Sequence, residues 1–466
     1  MNLWKPAALA LALAAAYPAG ALAQSNEELL KELKALKDRV GELEKKLADK
    51  PAATEKQWGM TPEQSAEFSR IAVKTEALED NNEALGYKGL KISGFFDPTY
   101  IYNRAQNRAG FQFLNRVSDD GYNYDNGYFG TAAIDFQKEM EGGTKWRLTL
   151  MPNRGAGSIA DASGNSVVHE ASVSIPLGDL QTRFLAGQFP DWSGYEYTQP
   201  TTTKLVTRGL LLDFTEPTAY TGAGMEIISG KWDVKALLAN YNSTKQPAGR
   251  KSPVIAYRVD YSKGEFVGFG FAGVHGKAAN FSTAALDPIT GAVVAQNDSR
   301  LDLFEVDGYF IRGDLTLQGQ VGFGRQKDAS ITPAADGSLR DARWWGVSGL
   351  AAYKFIPRWE AVARFDYINN AKNGGGLLQY SSADGRNGIG PDATLGCSPT
   401  TLVDGCDKGA NRYAFAIGVN YQLTANAMIK TEYRLDRATQ PVFLDIKDGS
   451  YRKSNSLLGA SVVVFF

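Results

Sequence analysis

Two histidines and two cysteines in 466 residues leave little material for catalytic or metal chemistry. A hydrolase pairing Ser or Asp with His would have to use His169 or His275. Glu170 follows His169 directly, on the opposite side of an extended chain, and His275 stands beside Gly276 at a strand end, where a polar interfacial ring is expected anyway. Neither makes a triad, no ligand spacing fits a metal, and Val-Gly-Phe-Gly-Phe at 267–271 lacks the helix a phosphate loop needs. No catalytic residue, metal or cofactor is therefore expected. A formal net charge of −1 supplies no field for nucleic acid. Long apolar runs are also missing: mean hydropathy is −0.28, and nothing beyond the N-terminal Ala7–Ala16 stretch approaches the roughly 18 residues of a spanning helix. Helical membrane proteins are excluded. A strand-built wall is not, because only every second residue of it meets lipid. Methionine is sparse at 6, whereas 49 glycines and 11% aromatics favour all-β structure.

The first 88 residues read differently from the rest. Lys5, the apolar run and Ala21-Leu22-Ala23 form a signal peptide over 1–23, with Gln24 as the expected mature start. Residues 24–50 form a coiled-coil arm: Leu29, Leu33, Leu36, Val40, Leu43 and Leu47 alternate at four- and three-residue spacing. Glu32 opposite Lys37 and Arg39 opposite Glu44 suit a parallel assembly, and Pro51 ends it. So short a helix is marginal alone in water, which implies partner chains. Residues 51–88 hold a linker and an amphipathic helix opened by Thr61-Pro62-Glu63-Gln64, with Phe68, Ile71, Ala72, Thr75 and Leu78 on one face. Its end is expected at Asn81-Asn82 or Gly86.

From Gly89 to Phe466 the period is two. Along 359–369, Ala361, Ala363, Phe365 and Tyr367 alternate with Glu360, Arg364 and Asp366; along 427–437, Ile429, Thr431, Tyr433 and Leu435 alternate with Lys430, Glu432, Arg434 and Asp436. Tyr257 and Val259 alternate with Arg258 and Asp260, and Trp146 and Leu148 with Lys145 and Arg147. Short turns such as Gly230-Lys231, Lys263-Gly264 and Gly313 alternate with long loops such as 104–126, 276–300 and 370–410. An even number of strands, about 16, follows, with the second strand expected at 127–138. The fold class is an all-β membrane protein, a transmembrane antiparallel β-barrel preceded by a short coiled coil and a second helix. Cys397 and Cys406, close together in one Gly/Asp-rich loop, are expected to form a disulfide that pins that loop.

Phe466, Val464, Val462, Ala460 and Leu458 share one face of the last strand. A terminal Phe behind alternating apolar residues resembles the signature that the bacterial barrel-assembly machinery reads. The connection after the fifth strand contains Asp191-Trp192-Ser193-Gly194-Tyr195-Glu196, then Lys204-Leu205-Val206-Thr207-Arg208-Gly209. It resembles the corresponding segment of OmpL-like porins, and the heptad arm is similar to that of the dicarboxylate-type and phosphate-selective trimeric porins. The resemblance implies a Gram-negative outer-membrane porin: a homotrimer held by the arm in the periplasm, surrounded by outer-membrane lipid, passing small hydrophilic solutes by diffusion. It implies a constriction loop carrying Asp191, Tyr195, Glu196, Lys204 and Arg208. Pore-lining residues are then Lys145, Arg147, Arg183 and Arg258 with Asp260, followed by Arg364, Asp366, Lys430, Glu432 and Arg434. Their mixed signs predict weak charge selection and show no basic ladder of the phosphate-channel kind. A barrel that only anchors a structural or adhesive tether is the alternative.

Overall fold

The computed structural model describes residues 62–84, 86–113, 130–151, 167–242, 252–279, 285–286, 293–295, 298–329, 340–370, 390–396, 404–406 and 408–466, with 34, 37–42 and 45. The signal peptide, and heptad residues Leu29, Leu33, Leu36, Leu43 and Leu47, lie outside them; residues 37–42 are helical and Val40 is exposed. The chain divides into two units, Met1–Lys88 and Gly89–Phe466. In the first, helix α1 (Pro62–Ala84) starts at the expected proline and runs two residues past Asn82. Its Phe68, Ile71 and Leu78 are exposed.

The second unit is a closed antiparallel cylinder. Eighteen paired segments make sixteen strands, because the first two strands are each broken once. They are β1 (Leu90–Phe96 and Thr99–Asn103), β2 (Arg108–Gln112 and Ala132–Glu139), β3 (Lys145–Leu150), β4 (Val168–Pro176), β5 (Thr182–Pro190), β6 (Ala219–Ser229), β7 (Trp232–Tyr241) and β8 (Val254–Ser262). Then follow β9 (Val267–Ala279), β10 (Asp298–Arg312), β11 (Leu315–Gln326), β12 (Ala342–Ile356), β13 (Trp359–Asn369), β14 (Arg412–Thr424), β15 (Ala427–Ala438) and β16 (Ser454–Phe465). Each strand pairs with its sequence neighbour, and β16 pairs with β1 through Phe95↔Phe465 and Thr99↔Ser461 to Asn103↔Leu457. Among the described residues the cylinder itself therefore keeps no free edge to recruit another chain.

Strand alternation decides which face meets what. On β13 and β15 the apolar set (Phe365, Tyr433, Leu435) is exposed, while Arg364, Asp366, Arg434 and Asp436 are buried. In a closed wall the exposed apolar side is the outside. Among the described residues no helix is long and apolar enough to cross a membrane. Turns such as 230–231 and 313–314 need a backbone that only glycine adopts cheaply, as at Gly313 (φ 56°).

The second strand departs from expectation. The loop expected over 104–126 is a four-residue turn followed by the first piece of β2. The chain leaves the wall after Gln112 and rejoins it at Ala132, part-way along β1. There Pro98 has no N–H to offer, and the Asp97 carboxylate and Thr99 hydroxyl accept from the Gly130 amide at 3.2 Å each. Period-two reading cannot see such an excursion, because the strand resumes in phase. Cys406 is buried and disulfide-bonded; its expected partner Cys397 lies outside the described residues.

Candidate functional site

The connection between β5 and β6, residues 191–218, bonds to side chains on the inner face of the cylinder. Its short helix α2 (Leu210–Phe214) buries Leu210, Leu211 and Phe214. These pack with inward Leu237, Val274, Leu303 and Trp344 in one apolar cluster.

Fully buried charges fasten the rest of the loop to β13–β15. Arg364 uses all five donor positions of its guanidinium on one side of the barrel. Nε donates to Asp366 (3.0 Å), Nη1 to Glu196 (2.8 Å) and the Thr207 carbonyl (2.9 Å), and Nη2 to the Arg208 carbonyl (2.9 Å) and Thr207 Oγ1 (3.3 Å). Arg434 donates to Asp436 (2.9 Å), Thr207 Oγ1 (3.0 Å) and the Arg208 carbonyl (2.6 Å). Glu432 accepts from the Thr207 amide at 2.7 Å, and Lys430 Nζ donates to the Thr203 carbonyl at 2.6 Å. Lys204 pairs with Glu360 at 2.7 Å, and Tyr195 shares a 2.7 Å hydrogen bond with Ser348. A charge without its partner in such a place costs several kcal/mol, roughly 3–5. The network is therefore a clamp whose parts hold only together.

Burial dominates the acidic groups Asp191, Asp213 and Glu216 of the same loop. Burial pushes Asp191 up to about 6, against donors from Tyr220 and Ser193. Burial likewise raises Asp213 to about 7, opposed by the Arg434 charge. Burial, then the neighbouring Glu305 and Asp191 charges, hold Glu216 well above the usual carboxylate range. Gln320 joins loop to wall here, donating to Glu216 and accepting from the Tyr195 amide at 3.2 Å.

Opposite the clamp a cavity of about 900 Å³ lies between the loop and the wall of β1–β7. Lys91, Lys145, Arg147 and Lys235 from the wall and Trp192 and Tyr197 from the loop are among its lining residues. Arg147 binds Asp135 (2.9 Å) and Glu170 (3.2 Å), Lys145 binds Glu139 (3.4 Å), and Lys235 binds Glu226 (3.3 Å) and Asp233 (3.0 Å).

The sequence-derived site residues thus separate into groups. Tyr195, Glu196, Lys204 and Arg208 lie on the loop against the wall, with Asp191 at its base. Lys145 and Arg147 line the cavity. Arg364, Asp366, Lys430, Glu432 and Arg434 point inward as alternation requires, yet each is at most 1% exposed beneath the loop. The loop covers all five. The Arg183 guanidinium donates to Ser174 and to the Gly143 carbonyl, both at 2.6 Å, and is buried. Arg258 binds Asp260 at 2.8 Å and Asp307. His169 is buried, and His275 Nδ1 donates to the Asp302 carboxylate at 3.0 Å while its Nε2 lies 3.4 Å from the Tyr257 hydroxyl.

Period-two reading missed Thr207, Glu305 and Gln320, because nothing local marks a contact across more than a hundred residues. One local signal was present. Within strands Arg-x-Asp occurs at 258–260, 300–302, 364–366 and 434–436, and at these four the Arg Nε reaches its own Asp two residues on, at 2.8–3.0 Å.

The fold is similar to several solved outer-membrane structures. One is the trimer form of OmpT, an outer membrane protein of Vibrio cholerae (11% identity, 81% of this chain and 99% of that one, TM-score 0.49). Another is an anion-selective porin from Comamonas acidovorans, with the same identity, coverage and score (11%, 81% and 99%, 0.49). A third is the outer membrane channel DcaP of Acinetobacter baumannii (10%, 81% and 97%, 0.45). Gram-negative outer-membrane porins are what this chain resembles; the register above, not these distant likenesses, carries the fold. No curated protein matches the sequence. The family model described as "Protein of unknown function (DUF3138)" matches residues 59–466, and the chain belongs to that family.

Proposed function

We propose that this chain is an outer-membrane channel through which small hydrophilic solutes diffuse passively into the periplasm. The observation that carries this reading is the cavity of about 900 Å³ left beside the inward loop within a wall whose outer face is apolar. Such an outer face suits lipid, and a cylinder of this strand number leaves internal space. Residues 191–218 act as the constriction, narrowing the passage to one side. Lys91, Lys145 and Arg147, alongside Glu139 and Glu170, give that passage mixed charge and weak selection. The cylinder is inserted by the barrel-assembly machinery with its short turns and the N-terminal arm on the periplasmic side. The heptad arm joins three copies, and Cys397–Cys406 pins a loop on the outer side.

Planar-bilayer recording of purified protein tests the channel. Small, steady conductance is expected from the native chain, and a larger, noisier one from Arg364→Ala, which frees the loop. Silence from both overturns the reading. A barrel that serves only as an anchor for a tether is the second reading, favoured by the apolar packing of Leu210, Leu211 and Phe214 inside the cylinder; silence supports it.

A further inference from the structure

The outward face of β9–β12 carries charge that conduction does not use. Backbone register places His275, Asp302, Arg325 and Arg343 in one row near the long-loop end. Lys277 and Arg300 pair in the row beyond, and the Lys327 amide, donating to the Arg300 carbonyl at 2.8 Å, extends that row. The row immediately on the other side is Gly273, Phe304, Phe323 and Trp345, whose three aromatic rings are exposed. Charge therefore begins where the apolar wall stops.

The sign is unbalanced. Lys277, Arg300, Arg325, Lys327 and Arg343 stand against Asp302 and Asp341 in these two rows, five cations to two carboxylates. Asp298 lies one row further out and is half-buried. Arg300 holds Asp302 at 2.9 Å, and Arg343 reaches the Asp341 oxygen that Arg325 also binds, at 3.3 Å. The guanidinium side chains remain 72%, 52% and 57% accessible for Arg300, Arg325 and Arg343, whereas Asp302 and Asp341 are only 29% and 15% accessible. The carboxylates space the cations, and the cation tips are outermost.

We propose that this rim docks phosphate groups of lipid in the leaflet on the long-loop side. Guanidinium groups match phosphate oxygens in forked pairs, and basic side chains at headgroup depth gain from anionic lipid what they would lose deeper in hydrocarbon. A second copy of the chain is a poor occupant. Outward positions at the long-loop ends of other strands, Thr221, Asn240, Tyr413 and Arg437, offer no carboxylate to meet the rim.

The inference rests on the proposed outer-membrane placement, and its test separates the two. The probe is diphosphoryl lipid A in detergent micelles, its binding to the full protein read by native mass spectrometry. The triple variant R300S/R325S/R343S should bind at least about tenfold more weakly than the native chain. K231S/K263S/R312S, at the short-turn end, should bind normally. Dephosphorylated lipid A should bind the native chain as weakly as the triple variant binds the diphosphoryl form, and millimolar inorganic phosphate should not displace the lipid. Heat-modifiable gel mobility shows that each variant folds, and their conductance should match the native protein. Equal lipid binding by native and triple variant overturns the rim, as does displacement by free phosphate. So does a variant that changes oligomer size but not lipid content. Absence from the outer-membrane fraction would instead overturn the placement.

Discussion

Arg364 shows how far one side chain can organise the interior. Its five donor contacts reach two carboxylates, two loop carbonyls and a hydroxyl, a geometry that only a planar guanidinium supplies. Arg364→Lys should therefore behave almost like Arg364→Ala, destabilising loop packing by about 3–5 kcal/mol, with the conductance rise of the two variants as the readout. The Asp213 carboxyl makes the loop pH-dependent. Its affinity for a proton is raised from 3.8 to about 7 by burial, so the packed loop binds the proton more tightly than a released one. The contribution of Asp213 to packing is then complete below about pH 4 and lost as pH rises towards 7. Opening fluctuations of single channels should become more frequent over that interval. Asp213→Asn should weaken the dependence, with Asp191, raised to about 6 by burial, still contributing; an unchanged pH profile in that variant would show that Asp213 takes no part.

At the scale of elements, the loop is held at Gly194. Its φ is +75°, and a Cβ there would sit 2.8 Å from Gln320 Oε1 and 3.0 Å from Glu216 Oε1. Gly194→Ala should cost roughly 1–3 kcal/mol through the left-handed backbone alone, and push the loop off β11 as well; the expected readout is a lowered midpoint for loss of loop protection in hydrogen exchange. In the turn between β12 and β13, Arg358 takes φ 72° without being glycine. Arg358→Gly should raise the urea midpoint of barrel unfolding by the equivalent of about 1 kcal/mol. Elements were also the level at which the sequence was most readable. Alternation around Arg364, Arg434 and Tyr413 and the Gly-marked turns placed the strands, since burying one face forces a period of two. What stayed hidden was where the inward side chains end up. The same Lys430-Glu432-Arg434 pattern serves a wet wall or a covered one, and only a contact with Thr203, Thr207 and Arg208, more than two hundred residues away, distinguishes them.

At the scale of the whole molecule, the clamp divides the interior unevenly: β12–β15 are covered, and β1–β7 border the remaining space. Deleting 26–50 is expected to reduce the oligomer on native gels while leaving the heat-modifiable mobility of the monomeric barrel intact. An equally large assembly after deletion would assign the arm another task.

The joining of β16 to β1 has a kinetic consequence. Every other pair of neighbouring strands is linked by its own connection, but this seam unites segments more than 350 residues apart, through Phe95↔Phe465 and the reciprocal Gly94 and Phe466 backbone bonds at 3.0 and 3.1 Å. Such a contact is the most expensive in chain entropy and the last that zippering from adjacent hairpins can deliver. Until it forms, two margins of unpaired backbone stay bare, and the chain gains protection of both in one step.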